Sequence, residues 1–257
     1  VIRGLHIAKT GMLTQQRRQE NIANNIVNAN TPGFKKATAA IAKDRDLFLH
    51  RLNDEVLRTS FGNIDKKPKV GPLGTGVFVD ETLVNFNTGS LIETNNPLDL
   101  AIQGSGFFTV EGNGQTFLTR DGVFTIDNQG YIVNSDGYYL LGHNGRINLS
   151  GSEITIKENG EIYVDGNYID TLQITTVQNP HSLSKLGMNL FTVTDRTILG
   201  GPQGVIRQGF IEGSNVDLAE EMVELISTLR AYEANQKVIQ THDELLGKAV
   251  NEIASVR

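Results

Sequence analysis

Apolar residues recur along this chain at two different periods, and the change of period divides it. Near the N-terminus Leu5, Ala8, Met12, Gln15, Gln19, Ile22, Ile26 and Ala29 step by alternating threes and fours. Near the C-terminus Leu218, Met222, Leu225, Leu229, Tyr232, Gln236, Ile239, Asp243, Leu246, Val250 and Ile253 do the same. That alternation is the heptad seam of a coiled coil. Ser214-Asn215-Val216-Asp217 offers capping side chains to the second helix, and Glu220 and Glu221 follow where the helix dipole favours anions. Between the two helices the period falls to two, in runs such as Phe107–Val110, Tyr131–Val133 and Leu172–Thr175. Asn-Gly and Asp-Gly pairs separate these runs, which predicts a series of hairpins in a sandwich or barrel-like antiparallel domain.

The predicted class is α+β: terminal helices forming a discontinuous coiled-coil domain, with an antiparallel all-β domain inserted between them. The expected boundaries are 1–36 for the first helix, 37–70 for a connector, 71–213 for the β-rich domain and 214–257 for the second helix. Within the connector, Leu49, Leu52 and Val56 stand at helical spacing over 44–58, and 62–74 reads as an extended linker. Asn21, Asn24, Asn25, Asn28 and Asn30 crowd the last turns of the first helix before Pro32-Gly33 ends it. Asparagine competes for backbone groups and weakens a helix interior, so this crowding needs another reason.

Charge supports a pairing of the ends. Over 1–36 six basic residues face the single acid Glu20, a net +5; over 217–257 eight acids face four basic residues, a net −4. The whole chain carries −6 with a pI near 5.4, which argues against broad nucleic-acid binding. No cysteine is present, so disulfides and thiolate metal sites are excluded. No run of some eighteen apolar residues predicts a membrane-spanning helix, and no basic and apolar leader predicts a cleaved signal peptide.

Catalytic chemistry finds little support. His6, His50, His143, His181 and His242 have no metal-ligand spacing. Gly71–Gly76 lacks the order and the lysine of a phosphate loop, and Gln103–Gly106 misses the register of a nucleophile elbow. Asp99, Glu111, Asp121, Asp127, Asp136 and Asp165 could serve a wall-carbohydrate-binding or hydrolysing domain only if two of them faced one cleft. Most sit beside glycine, where aspartate makes turns.

Three stretches carry a resemblance. "NIANNIVNANTPGFKK" (21–36) resembles the N-terminal signature of bacterial flagellar rod and hook proteins. "GSLIETNNPLDLAIQGSGFFTV" (89–110) is similar to the segment that opens their β domain, and "GFIEGSNVDLAEEMVELISTLRAYEANQKVIQTHDELLGKAV" (209–250) looks like their C-terminal helix. "SNVDLAEEMV" and the "GTGV" at 74–77 favour the distal-rod type within that family, with proximal rod and hook types as alternatives.

The resemblance implies a structural subunit without enzymatic activity, cofactor or metal. It implies export without a cleaved signal through the flagellar type III apparatus, and polymerisation into a hollow, torque-bearing rod in the basal body. The implied partners are further copies of itself and other rod and hook subunits, with no nucleic acid and no membrane insertion. The expected assembly interface comprises Leu5, Met12, Arg17, Arg18, Ile22, Asn24, Asn25, Ile26, Asn28, Asn30 and Phe34 near one end. Near the other it comprises Met222, Leu225, Leu229, Tyr232, Ile239 and Leu246.

Overall fold

The computed structural model describes residues 2–51, 56–59, 62–65, 68–151, 153–187, 189–194, 197–201 and 204–255. It is α+β, with two long helices, α1 (Ile2–Val27) and α2 (Leu218–Ser255), and many short antiparallel strands between them. The chain divides into two units, and each helix contributes to both. The first unit holds residues 1–23, 38–83 and 222–257; the second holds 24–37 and 84–221.

Six strands lie between α1 and the second unit: β1 (Ala37–Lys43), β2 (Leu47–His50), β3 (Val56–Thr59), β4 (Gly62–Asp65), β5 (Lys69–Leu73) and β6 (Val77–Val84). β1 pairs with β6, β2 with β5 and β3 with β4, each as a two-stranded ribbon. Among the described residues of 44–58 the helix suggested there is therefore replaced by strands, and 62–65 and 69–73 are paired rather than a bare linker; Leu52 lies outside the described residues. An isolated helix of fifteen residues is marginal in water, whereas the ladder satisfies backbone groups directly. In that ladder Phe48 stands opposite Pro72 and Leu49 opposite Gly71. Leu47, Phe48, Leu49 and Val70 remain exposed on this ribbon, and the Lys69 ammonium lies 4.9 Å from the Phe48 ring centre.

The second unit begins with β7 (Leu91–Glu93), β8 (Leu100–Gln103), β9 (Phe107–Gly112), β10 (Gln115–Thr119), β11 (Phe124–Ile126), β12 (Ile132–Asn134), β13 (Tyr139–Gly142) and β14 (Gly145–Arg146). It continues with β15 (Ile154–Ile156), β16 (Glu161–Val164), β17 (Asn167–Thr171), β18 (Ile174–Val177), β19 (Ser184–Lys185), β20 (Leu190–Thr192), β21 (Leu199–Gly200), β22 (Val205–Gln208) and β23 (Phe210–Glu212). The main sheet runs β11-β12-β13-β9-β10-β20-β19, with β14 and β18 paired off this path. β15, β16 and β17 form a second, three-stranded sheet, while β22 pairs with β8 and β23 with β7.

The Asn and Asp turns work as their chemistry predicts. Asn113 and Gly114 both take positive φ and close the β9–β10 hairpin, as the twist of a two-residue connection requires. Asp127 Oδ1 accepts from the backbone of Gln129 and Tyr131, and Asn134 Oδ1 from Asp136 and Tyr138. Alternate strand positions fill one core with Leu100, Ile102, Phe108, Val110, Phe124, Leu140, Ile162 and Leu190 among others. A smaller cluster gathers Phe107, Leu118, Val177, Leu183 and Phe191, and Phe86 packs its ring against Phe107 and Phe191.

Candidate assembly interface

The asparagine-rich stretch forms a sharp return within the second unit. Asn28 donates from its backbone and side chain to the Asn24 carbonyl, and Thr31 accepts from Phe34 N–H. Gly33 then adopts a φ of +68°, and a Cβ there would collide with the Arg120–Asp121 peptide. Its N–H donates to the Glu212 carbonyl at 2.7 Å. Asn25 answers for the crowding of asparagines most directly. Its amide donates to the Ala37 carbonyl at 2.9 Å and accepts from Ala37 N–H at 3.0 Å, so one side chain pairs like a neighbouring strand. The same Nδ2 reaches Glu221 Oε2 at 3.0 Å. Asn215 acts likewise, accepting from Lys36 N–H and donating to the carbonyls of Asn85 and Asn87. Asn189 donates to the Pro32 carbonyl.

Beneath this return lies a buried ion cluster that the sequence reading did not anticipate. Glu212, wholly buried, accepts from Lys35 Nζ at 2.6 Å through one oxygen and lies 3.1 Å from the Arg120 guanidinium through the other. Gly89 N–H also donates to Glu212 Oε1, Lys35 donates to the Asn87 carbonyl, and Arg120 to the carbonyls of Ile102 and Gly104. Two cations share one anion, so the cluster carries a net +1 in the dry interior. Burial pushes the Lys35 ammonium below its ordinary range, and nearby Arg120 adds to this, while Glu212 opposes both. In the same segment, half-buried Lys36 pairs with buried Glu221 at 2.6 Å and with exposed Glu220 at 3.3 Å. Phe34 is buried, with the Lys185 ammonium 4.1 Å from its ring centre.

In the first unit the terminal helices meet. A Cβ on Gly4 would stand 2.6 Å from His242 Nε2, and one on Gly11 would stand 3.2 Å from the Asn235 amide. These contacts run in opposite chain directions, so the helices are antiparallel. Arg18 bridges to Glu224 at 2.6 Å, whereas among the described residues Arg17 bonds Glu20, one turn along its own helix. Ala8 and Ile22 are buried as the spacing suggested. The alternate column is one residue earlier than the apolar pattern: Gly4, Gly11 and Arg18 on α1, with Thr228, Asn235 and His242 on α2. Small residues allow close backbone approach there, and this turns larger apolar side chains outward. Met222 and Leu229 are 48 % and 43 % exposed, and Val223, Ile226, Val238, Leu245 and Val250 are exposed too. Asp217 caps α2 by accepting from the N–H groups of Ala219 and Glu220.

Of the residues singled out from the sequence, Ile22, Asn25 and Phe34 are buried. Leu5, Met12, Arg18, Ile26, Asn28, Leu225, Tyr232, Ile239 and Leu246 are half-buried, while Arg17, Asn24, Asn30, Met222 and Leu229 are exposed. Lys35, Arg120 and Glu212 had no local signal, because each reads alone as an ordinary surface charge. Among the described residues no three His, Asp or Glu side chains gather as a metal site, and no helix is long and apolar enough to cross a membrane.

Terminal helices joined through an inserted β unit, with a signature turn held by Glu212, define the class to which this fold belongs. Family comparison agrees along the chain. Residues 5–35 match the flagella basal body rod protein model, 101–164 the flagellar hook protein FlgE/F/G D1 domain, and 207–252 the flagellar basal body rod FlgEFG protein C-terminal model. The chain belongs to this flagellar rod and hook family. More particularly, it is 37 % identical to the flagellar basal-body rod protein FlgG of Borreliella burgdorferi, covering 98 % of each chain. The FlgG of Agrobacterium fabrum is 36 % identical, over 95 % of this chain and 97 % of that protein. The flagellar hook-basal body complex protein FlhO of Bacillus subtilis is 29 % identical over the full length of both.

Proposed function

We propose that this protein is a structural subunit of the bacterial flagellar basal-body rod, polymerising into a hollow helical shaft that transmits motor torque to the hook. The observation that carries the reading is the uncovered apolar face of α2, Met222, Ile226 and Leu229 above all, on a helix paired with an oppositely charged α1. A lone subunit gains nothing by exposing that face, whereas a neighbouring copy would bury it. Because the α1 and α2 surfaces differ, the contact between copies is head-to-tail and propagates into a filament. In this reading α1 and α2 act as a coiled-coil layer. Arg17, Asn24, Asn30, Met222 and Leu229 meet neighbouring subunits directly, and the half-buried seam residues shape that surface. Buried Ile22, Asn25 and Phe34 hold the geometry from within.

The partners are further copies, other rod and hook subunits and the type III export apparatus, and the location is the basal body. The protein performs no catalysis and carries no cofactor. FlgG relatives at 36–37 % identity over nearly the whole chain favour the distal rod; the full-length likeness to FlhO keeps a neighbouring rod position as the second reading. Electron microscopy of basal bodies from a strain lacking the protein tests both. A rod stopping just short of the hook supports the distal position, and one stopping near its base supports the proximal one. Intact rods and hooks would overturn the proposal. Removal of 240–257 should abolish polymerisation while leaving the β unit folded, and normal filaments from that truncation would refute the role given to α2.

A further inference from the structure

The second unit contains a cleft of about 230 Å³ between the signature turn and the tips of the β strands. Asn28 and Thr31 line one side, and Asp121, Asp136, Lys185 and Asn189 the others. Asp121 is only 9 % exposed, yet no cation pairs with it among the described residues. The neighbouring Arg120 guanidinium is committed to Glu212 and to two carbonyls. The Lys185 ammonium lies over the Phe34 ring instead. Asp121 Oδ1 accepts only the Val123 N–H, at 3.1 Å. Burial pushes its carboxyl up to about 6; Val123 opposes this, and Asp136 and Asp99 reinforce it. Counting Asp121, Asp136 and Lys185, the cleft is left with one negative charge in excess.

A carboxylate so placed weakens the isolated subunit at neutral pH. A buried charge without a partner is costly, and such a cost in a cleft points to a partner from outside. We propose that this cleft receives an arginine or lysine side chain of a second copy of this chain. The inference rests on the self-assembly reading above. A second copy carries complementary charge: Arg3 and Lys9 on its α1 are exposed, and Arg17 is exposed with Glu20 of the same helix as its partner. The volume is on the scale of one whole arginine or lysine side chain, so the contact is a single anchoring side chain and not a groove for a strand. Pairing requires an ionised Asp121, so assembly releases a proton when the cleft starts protonated.

Sedimentation velocity on the full chain at about pH 7.5 and pH 5, together with thermal unfolding of the monomer, tests this. Asp121→Asn should raise the monomer's unfolding midpoint at pH 7.5, yet raise the concentration needed for half-assembly by about tenfold. The wild type should weaken by a similar factor between pH 7.5 and 5, while Asp121→Asn stays nearly level. Asp136→Lys, at the exposed rim, should weaken assembly about tenfold without lowering the unfolding midpoint, since it exchanges a charge that repels the Asp121 carboxylate for one that attracts it; the loss of assembly is then independent of any folding defect. Wild-type assembly by either variant would overturn the cleft assignment, as would a lowered midpoint for Asp121→Asn or an equal pH response in the two chains. A wild-type chain that stays monomeric at every concentration would instead overturn the assembly reading together with this one.

Discussion

Replacing Glu212 by glutamine should damage the second unit far more than replacing Lys35 by methionine, although the two side chains share one ion pair. The cluster holds Lys35, Arg120 and Glu212 with a net +1. Glu212→Gln leaves two cations facing each other in the interior, a net +2. Lys35→Met leaves Arg120 and Glu212 as a balanced pair and substitutes an apolar stem of similar length. Breaking a buried pair on one side costs about 3–5 kcal/mol, because the remaining charge is stranded. Removing the surplus cation instead relieves a desolvation penalty and forfeits two hydrogen bonds, those to Glu212 Oε1 and the Asn87 carbonyl, so its net effect should lie within about 1.5 kcal/mol. With a urea slope of about 2 kcal/mol/M, Glu212→Gln should shift the midpoint by roughly 1.5–2.5 M and Lys35→Met by under about 0.8 M. The chain has no tryptophan, so near-UV circular dichroism of its tyrosines is the natural probe. Equal costs for the two substitutions, or a Glu212→Gln cost under about 1 kcal/mol, would refute the charge argument.

Gly33→Ala should destabilise the second unit by about 2–4 kcal/mol in the same assay, since it combines a positive φ with a collision against the Arg120–Asp121 peptide. For Asp121, the folded carboxyl titrates near 6 against an ordinary 3.8. The folded state therefore binds the proton more tightly than the unfolded state. The penalty is present in full above pH 6 and fades as the pH falls through 6 towards 4. This group alone should thus strengthen the fold by about 2 kcal/mol between pH 7 and 4, read as a rising urea midpoint that Asp121→Asn abolishes. Met222→Lys combined with Leu229→Lys should change monomer stability by less than about 0.5 kcal/mol each, because both side chains are exposed, while sedimentation shows assembly lost.

Much of this architecture could be read from periodicity. Both helices, the capping by Asp217 and the hairpins with Asn or Asp before Gly follow from local chemistry, and local chemistry is what a sequence displays. The seam of the helix pair was half legible. Hydrophobicity selects Met222 and Leu229, but close approach selects Gly4 and Gly11 opposite His242 and Asn235, and backbone proximity leaves no apolar trace. Residues 44–58 were misread for a related reason: the spacing of Leu49 and Val56 is compatible with a helix, while their ladder partners lie further along the chain. The ion cluster was invisible, since Lys35 and Glu212 acquire meaning only when the fold joins them.

That ion cluster also sets an order of events during synthesis. Lys35 and its acceptor Glu212 are 177 residues apart, and Gly33 depends on the same glutamate's carbonyl. A ribosome delivers the signature turn long before its socket. Until residue 212 emerges, Lys35 has no carboxylate to meet, so a partial chain that ends before it cannot close the lock. Only a chain that has reached residue 212 can fasten this turn, and one cut short before it leaves Lys35 without its carboxylate and the Gly33 N–H without its acceptor.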